Sequence, residues 1–414
     1  MKVLQVNVLV DSGSTGKIVR DIDNVLVEKG IDSVICYGRK NTGNKARTFK
    51  FCTEYEAAFQ KILNRLGLVT MYGGNYLSTQ RLISKIKKEA PDIVHIHCIN
   101  GYCVNIYRLM DYLAESGIKT IVTHHAEFYY TGNCGHAFDC MKFSSGDECR
   151  DCKLPKRSAE NARKGLPHIS WRKMNESFHR FKPGYLHFTA VSPWVKDRST
   201  LSPIVKGYPC TVVMNGIDTT VFYHRTDTAD IESRLARGYD KIVFHATASF
   251  TDRPSMKGGH YIIELAKQIP GLLFVVAASY VDVSGQLPEN ILLWGRAKDQ
   301  NELARLYSAA DVTVITSRRE TFSMIVAESL CCGTPVVGFK AGGPETIAIP
   351  EFSHFTDYGD ISKLKKAISG LAESPITYTK EEISDKARMI YSKQCMAENF
   401  IKIYESLSAA QSNG

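Results

Sequence analysis

Residues 311–346, DVTVITSRRETFSMIVAESLCCGTPVVGFKAGGPET, decide the fold. Asp311 to Thr316 alternates and is β-branched, which predicts a strand. Ser323 to Cys332 is an apolar run of helical length closed by Gly333, and Pro335 to Phe339 reads as a short buried strand. Strand, helix and strand in that order make a βαβ unit. Thr321 is the predicted N-cap, leaving the amides of Phe322, Ser323 and Met324 open above the strand ends, a place that favours an anion.

Along a helix the rise from Thr321 to Glu328 covers roughly 10 Å, about the reach of a nucleoside diphosphate from its phosphates to its ribose. A glutamate on a helix is ordinarily solvated. Here Met324, Ile325, Val326, Ala327, Leu330 and Cys331 leave almost no polar face. A carboxylate buried among them needs donors, and ribose hydroxyls are such donors.

The pair Glu320 and Glu328, followed by GTPVV and by Gly342-Gly343-Pro344-Glu345, resembles the signature of the family 4 retaining glycosyltransferases. The resemblance implies an α/β chain of GT-B fold, two doubly wound Rossmann-like domains facing across a cleft, with the donor held mainly by the C-terminal domain and the acceptor by the N-terminal one. It implies that Glu328 holds the nucleotide ribose. Glu320 and the loop formed by Thr321, Phe322 and Ser323 are expected to approach the donor sugar and its phosphates.

Composition agrees with a large globular chain. The 414 residues exceed what one core organises, so two domains of about 200 residues are expected. No run reaches the roughly 18 apolar residues of a membrane span, and MKVLQVNVLVDSG reads as a strand entering a loop instead of a signal peptide, so a cytoplasmic protein is expected. The twelve cysteines are scattered, as suits reduced thiols. Net charge is +9, concentrated in residues 153–182, where nine Lys or Arg stand against Glu160 and Glu176. That segment reads either as a solvated face or as a surface for anionic lipid or a pyrophosphate-bearing acceptor. With Trp171, Phe178 and Phe181 it suits a helix settling on an interface, through Lys156, Arg157, Arg172 and Lys173. No nucleic-acid module is present, and no nucleic-acid partner is expected.

In chain order, Val3 to Val10 is the first strand, and DSGSTGK is a small-residue loop opening a helix from about Lys17. GSTGK is not a P-loop, because Asp11 stands where the Walker pattern needs glycine and Ile18 where it needs Ser or Thr. The family resemblance makes Gly13 and Gly16 the residues that approach the donor phosphates and the acceptor. Ile93 to His97 is a strand with His95 and His97 on one face, and Lys119 to Thr123 is another, ending in His124-His125. The family carries a histidine just past this strand. His125 matches best, with His124 second, and its implied role is a polar contact that steadies charge on the sugar as the glycosidic bond opens.

Cys134, Cys140, Cys149 and Cys152 follow, the last two as Cys-x-x-Cys. Four thiolates closing two turns suit a structural zinc, against a redox-sensitive or simply reduced loop. A similar module occurs in a subset of family 4 enzymes of capsule and exopolysaccharide assembly, the colanic-acid-like transferases, which the LQVNVLVDSGSTGKI and HIHCINGYCVNI segments also resemble. That subset's His-Asp pair is His125-Ala126 here.

Lys241 to Ala248 opens the second domain, and its following loop carries Arg253 and Lys257, the cations available for a diphosphate leaving group. Lys257-Gly258 matches the family's phosphate contact, and by the same resemblance Arg296 lies beside the base. The expected organisation is therefore an acceptor-side domain over 1–218, containing the cysteine module at 131–155 and the basic segment at 153–182. A donor domain follows over 219–390, and a helix over 391–414 crosses back. The implied activity is a retaining hexosyltransferase with His125, Glu320 and Lys257 as catalytic residues and no catalytic cofactor. Its donor is a nucleotide-diphosphate sugar, UDP favoured over GDP, and its acceptor a lipid-linked glycan at the inner face of the cell membrane, where it would be peripheral. The rivals are a nucleotide-sugar epimerase or phosphorylase of the same fold and a catalytically lapsed nucleotide-sugar-binding scaffold.

Overall fold

Seven short runs rich in Val and Ile form the first sheet: β1 Lys2–Asn7, β2 Asp32–Tyr37, β3 Thr48–Lys50, β4 Ile93–Ile96, β5 Lys119–His124, β6 Leu186–Ala190 and β7 Cys210–Val212. They lie in the order β3-β2-β1-β4-β5-β6-β7, and every pair is parallel. Strands covered on both faces read as continuous apolar runs, and the central ones here are buried except at Lys2. A second sheet is built from β8 Ile242–Thr251, β9 Leu273–Asp282, β10 Ile291–Gly295, β11 Val312–Ile315, β12 Val336–Phe339 and β13 Ser353–Thr356. Its order is β10-β9-β8-β11-β12-β13, again all parallel. The computed structural model describes residues 1–40, 46–145, 149–152, 166–239, 241–373 and 378–409.

The chain divides into two units, Met1–Met214 with Met396–Gly414, and Asn215–Cys395. Boundaries read from the sequence, after 218 and 390, fall inside the second unit. In the first unit Val3, Ile18, Ile22, Ile93 and Ile121 pack with Met396, Phe400 and Tyr404 of helix Lys393–Ala409. In the second, Val243, Phe274, Val276, Val312, Val314 and Val337 pack beneath helices Gly259–Gln268 and Ile361–Glu373.

Both sheets reverse strand order once, at β1/β4 and at β8/β11. Open parallel sheets bind ligands outside the carboxyl ends of the strands at such a reversal. Two sequence readings shift here. The first strand stops at Asn7, not Val10, because Asn7 Nδ2 donates to the Leu9 carbonyl at 2.7 Å and turns the chain, so the next helix starts at Gly13. Strands β3 and β13 were not read, being three and four residues long with partly exposed patterns.

Candidate active site

At the reversal of the second sheet the loop after β8 meets the loop after β11. Gly258 has φ +68, and a Cβ there would come 2.2 Å from the Thr316 carbonyl oxygen, so this contact admits only glycine. Thr316 Oγ1 donates to the Lys257 carbonyl at 3.0 Å, and the Arg318 amide donates to the Met256 carbonyl at 2.9 Å. Thus fixed, Lys257 places Nζ 2.6 Å from Glu320 Oε1, with both side chains partly open to solvent. Glu320 is held in turn by its backbone: its amide donates to the Ala341 carbonyl at 3.0 Å and its carbonyl accepts from Gly343 at 2.8 Å. The Glu345 carboxylate accepts from the amides of Ala341 and Gly342, each at 2.9 Å. A Cβ at Gly343 would stand 2.4 Å from the Thr321 carbonyl oxygen and 2.6 Å from the Phe322 nitrogen. The GGPE sequence is the brace that shapes the loop at 320–323.

The helix after this loop is Met324–Cys331, and its N-cap is Ser323, at φ 82, where the sequence predicted Thr321. Thr321 and Phe322 are engaged against Gly343, so the helix starts later. The amides at its start remain those of a helix N-terminus, as an anion requires. Glu328 is half-buried instead of enclosed, because Met324 and Ile325 are themselves only partly covered. Its Oε2 accepts from the Tyr307 hydroxyl at 3.1 Å. Tyr307 is fully buried, with its phenol pKa held well above the ordinary value by burial and then by the Glu328 charge. Nothing in the sequence reading singled out Tyr307, whose position in helix Gln300–Ala309 reads as plain core.

Two other expected donor contacts are not drawn into this group. Arg253 is exposed and ion-pairs with Asp282 at the end of β9. Arg296 is exposed just beyond β10.

In the first unit, the reversal lies between β1 and β4, where the Val8 amide donates to the Cys98 carbonyl at 2.8 Å and the Cys98 amide to Asn7 Oδ1 at 3.0 Å. Gly13, with φ +68, opens helix Gly13–Glu28 beside this end of the sheet, and the Gly16 carbonyl accepts from the Asp11 amide at 3.1 Å. Arg20 ties the same loop through Asp11 at 2.8 Å.

His124 and His125 face opposite ways, as successive residues at a strand end must. His124 stacks on Phe188 with ring centroids 5.0 Å apart, and both of its ring nitrogens are buried without a hydrogen-bond partner. Burial pushes its pKa down to about 3. His125 instead joins a chain of polar side chains. Gln5 Nε2 donates to the Val19 carbonyl at 3.3 Å, so Gln5 Oε1 accepts from His97 Nε2 at 3.1 Å. His97 Nδ1 therefore carries a lone pair and accepts from His125 Nε2 at 3.1 Å. Burial holds the His125 pKa down at about 4, so the ring is neutral at pH 7 and, with Nε2 as the donor, its Nδ1 is the nitrogen without the proton. His95, with its ring centroid 3.8 Å from that of His97, is anchored between Tyr404 and Thr123, both at 2.7 Å. Burial also keeps the pKa values of His95 and His97 well below the ordinary range.

Cys134 and Cys149 are buried, and Cys140 and Cys152 are half-buried. Burial raises the Cys134 pKa, as do the neighbouring thiols of Cys149, Cys152 and Cys140. Among the described residues, however, no group of three or more His, Cys, Asp or Glu side chains is arranged to hold a metal ion. Cys134 Sγ accepts from Asn133 Nδ2 at 3.6 Å and Cys149 Sγ turns to the Thr131 carbonyl at 3.8 Å, and the four-thiol zinc set stays an expectation of the spacing. The basic segment also changes. Lys156 and Arg157 lie outside the described residues, while Trp171, Phe178 and Phe181 are buried in the fold and unavailable to an interface. Arg172 pairs with Glu176 at 3.7 Å, and Lys173 lies over the Tyr107 ring. No described helix is long and apolar enough to cross a membrane.

Comparison with known proteins agrees with this architecture. The model for Glycosyltransferase Family 4 matches residues 16–221, and that for Glycosyl transferases group 1 matches residues 253–390. An Escherichia coli protein named as a colanic acid biosynthesis glycosyl transferase, WcaC, is 19% identical over 98% of this chain and 100% of its own. Sucrose-phosphate synthase from Thermosynechococcus elongatus superposes with a TM-score of 0.67 at 15% identity, covering 99% of this chain and 100% of that one. HepE from Anabaena, solved in complex with UDP-glucose, does so with a TM-score of 0.61 at 15% identity, covering 98% and 100%. Two sheets of GT-B type, matched in turn by these two family models, place the chain among the glycosyltransferases of family 4 and group 1.

Proposed function

We propose that the protein transfers a hexose, with retention at the anomeric carbon, from a nucleotide-diphosphate sugar held by the second unit to a lipid-linked glycan met by the first, in capsule or exopolysaccharide assembly at the cytoplasmic face of a membrane. The observation that carries this reading is the Lys257–Glu320 pair at 2.6 Å, set beside a helix N-terminus at the strand-order reversal of the second sheet. A diphosphate gathers charge as it leaves, and Lys257 with the amides at 322–324 is suited to stabilise it. Glu328, two turns along, accepts the ribose hydroxyls, and Tyr307 orients its carboxylate. UDP is the favoured nucleotide, by likeness to HepE.

The chemical step breaks the bond between the anomeric carbon and the diphosphate oxygen. The acceptor hydroxyl oxygen bonds to that carbon on the same face, and its proton passes to the departing phosphate. His125, held neutral by burial and oriented by His97, presents its Nδ1 edge or its backbone carbonyl to the sugar. Calorimetric titration with UDP, GDP and ADP sugars, then NMR of the product's anomeric configuration, tests the reading. A product of inverted configuration, or conversion of the nucleotide sugar to its epimer without acceptor, overturns it.

A further inference from the structure

Gln5 is an amide in the middle of the inner strand β1, fully buried between Leu4 and Val6 in the sequence, which are fully buried too. A buried amide is costly unless both of its ends are bonded, and an aliphatic residue in its place would need no partner. Both ends are used here, and in a fixed sense. Helix Gly13–Glu28 supplies the Val19 carbonyl, which can only accept, so the amide nitrogen of Gln5 faces Val19 and the amide oxygen faces His97. A direction set by one backbone carbonyl is then passed along the row. His97 donates from Nε2 to Gln5, accepts at Nδ1, and so requires His125 to donate from its own Nε2.

The row runs from the core outward. Gln5 and His97 are 0% exposed, while His125, one residue past β5 at the carboxyl end of the sheet, is 9% exposed. His97 cannot escape its role by turning. His95 lies against its ring, with centroids 3.8 Å apart, and is itself hydrogen-bonded to Tyr404 and Thr123 at 2.7 Å each. The backbone is held as well, the His97 amide donating to the Val6 carbonyl at 2.9 Å and its carbonyl accepting from the Tyr129 hydroxyl at 2.6 Å. Burial of an imidazole does not by itself call for such partners, since His124 is buried with neither ring nitrogen hydrogen-bonded. An imidazole without them interconverts between two neutral tautomers, of which only one carries its proton on Nε2. Gln5, acting through His97, removes that choice at His125.

We infer that Gln5 and His97 are positioning residues for sugar transfer, which hold His125 in the tautomer protonated on Nε2 and fix the plane of its ring. The inference rests on the part given to His125 in the proposed function, and it names the residues through which that part is set. Both are fully buried and act through the imidazole.

The test reads the proton and the rate separately. In wild type carrying isotope-labelled histidine, the His125 resonances are identified by their loss in His125→Ala, and proton–nitrogen correlation NMR should place the proton on Nε2. The rate is that of UDP release from UDP-glucose. Gln5→Met, which keeps the volume and removes the amide, should populate both tautomers and lower kcat roughly three- to tenfold. His97→Phe leaves His125 Nε2 without this acceptor and should lower kcat about 10- to 100-fold. His97→Gln still offers an oxygen to His125 and a nitrogen to Gln5, and it should recover most of that loss. Donor KM and UDP affinity by calorimetry should stay at wild-type values throughout. A role in packing alone would lower thermal stability and leave proton and rate unmoved. The inference is overturned by a wild-type proton on Nδ1, by wild-type kcat in folded Gln5→Met or His97→Phe, or by His97→Gln as slow as His97→Phe. In those outcomes His125→Ala is still slow. His125→Ala at the wild-type rate, or no UDP release by wild type, instead removes the sugar-transfer reading on which the inference rests.

Discussion

The two strand-order reversals share a topology and differ in chemistry. At the second sheet the side chains are ionised and partly wet, Lys257 against Glu320 with Glu328 beyond them. At the first they are dry and neutral, with Gln5, His97 and His125 linked in a row. Ionised groups beside water can meet a diphosphate without first losing a buried partner. Neutral imidazoles in a dry site can hydrogen-bond a sugar without drawing in a counter-ion. On the proposed function, one fold used twice would serve two kinds of ligand because the side chains at corresponding strand ends differ in charge and hydration.

Substitutions can break this contrast on either side. The largest effect is expected for His125→Ala, which should lower kcat by roughly 100- to 1000-fold, about 2.7–4 kcal/mol, and leave UDP binding by calorimetry unchanged. Loss of nucleotide affinity in that variant would mean the dry site also holds the donor. Next comes Glu328→Ala, with UDP binding weakened about ten- to 150-fold for a hydrogen bond to a charged group worth about 1.5–3 kcal/mol. Wild-type affinity in the folded variant would remove Glu328 as the ribose ligand.

His124 sharpens the comparison through pH. Its folded pKa, about 3, lies below the value near 6.5 expected for the unfolded chain. Between those values the unfolded state binds the extra proton, so this contribution to stability is intact above pH 6.5 and lost as pH falls. Replacing His124 with Leu should flatten the stability profile by about 1.4 kcal/mol per pH unit in that window. It should also add about 1 kcal/mol at neutral pH by removing two unsatisfied ring nitrogens. Urea melts at a series of pH values measure both, and an unchanged slope would place the acid sensitivity elsewhere. The smallest effect is expected for Tyr307→Phe. Glu328 would keep its charge and lose an orienting bond, weakening UDP binding about two- to tenfold; an effect as large as that of Glu328→Ala would make the tyrosine a ligand in its own right.

The βαβ unit at 311–346 was legible because its strands are buried on both faces and its helix is closed by Gly333, so periodicity and punctuation agree. Lys257 and Glu320 were named from motif likeness, but their 2.6 Å contact depends on Gly258 approaching Thr316, a tertiary event with no local signature. The same holds for Tyr307, since an aromatic residue in a buried helix looks like packing until its hydroxyl is placed. The Thr321 cap failed for a related reason, being preempted by the backbone of a loop 22 residues on, at Gly343. In helix Glu54–Leu66 the apolar stripe of Tyr55, Phe59, Ile62 and Leu66 points away from the core, because Gln60 and Asn64 hold the opposite face.

The tight approach of Gly343 to Thr321 and Phe322 also bears on how this protein can change over evolutionary time. Because backbone atoms fill the space where a side chain would grow, any substitution at Gly343 or Gly258 must displace the loop itself, and drift there is expected to be purged before it can alter what the chain recognises. Variation is expected instead at exposed positions such as Arg253, which ion-pairs with Asp282, and Arg296. A lineage that acquires a new donor is therefore expected to keep its glycines and rewrite its rim, and a library built to redirect this enzyme should randomise the rim and spare the brace.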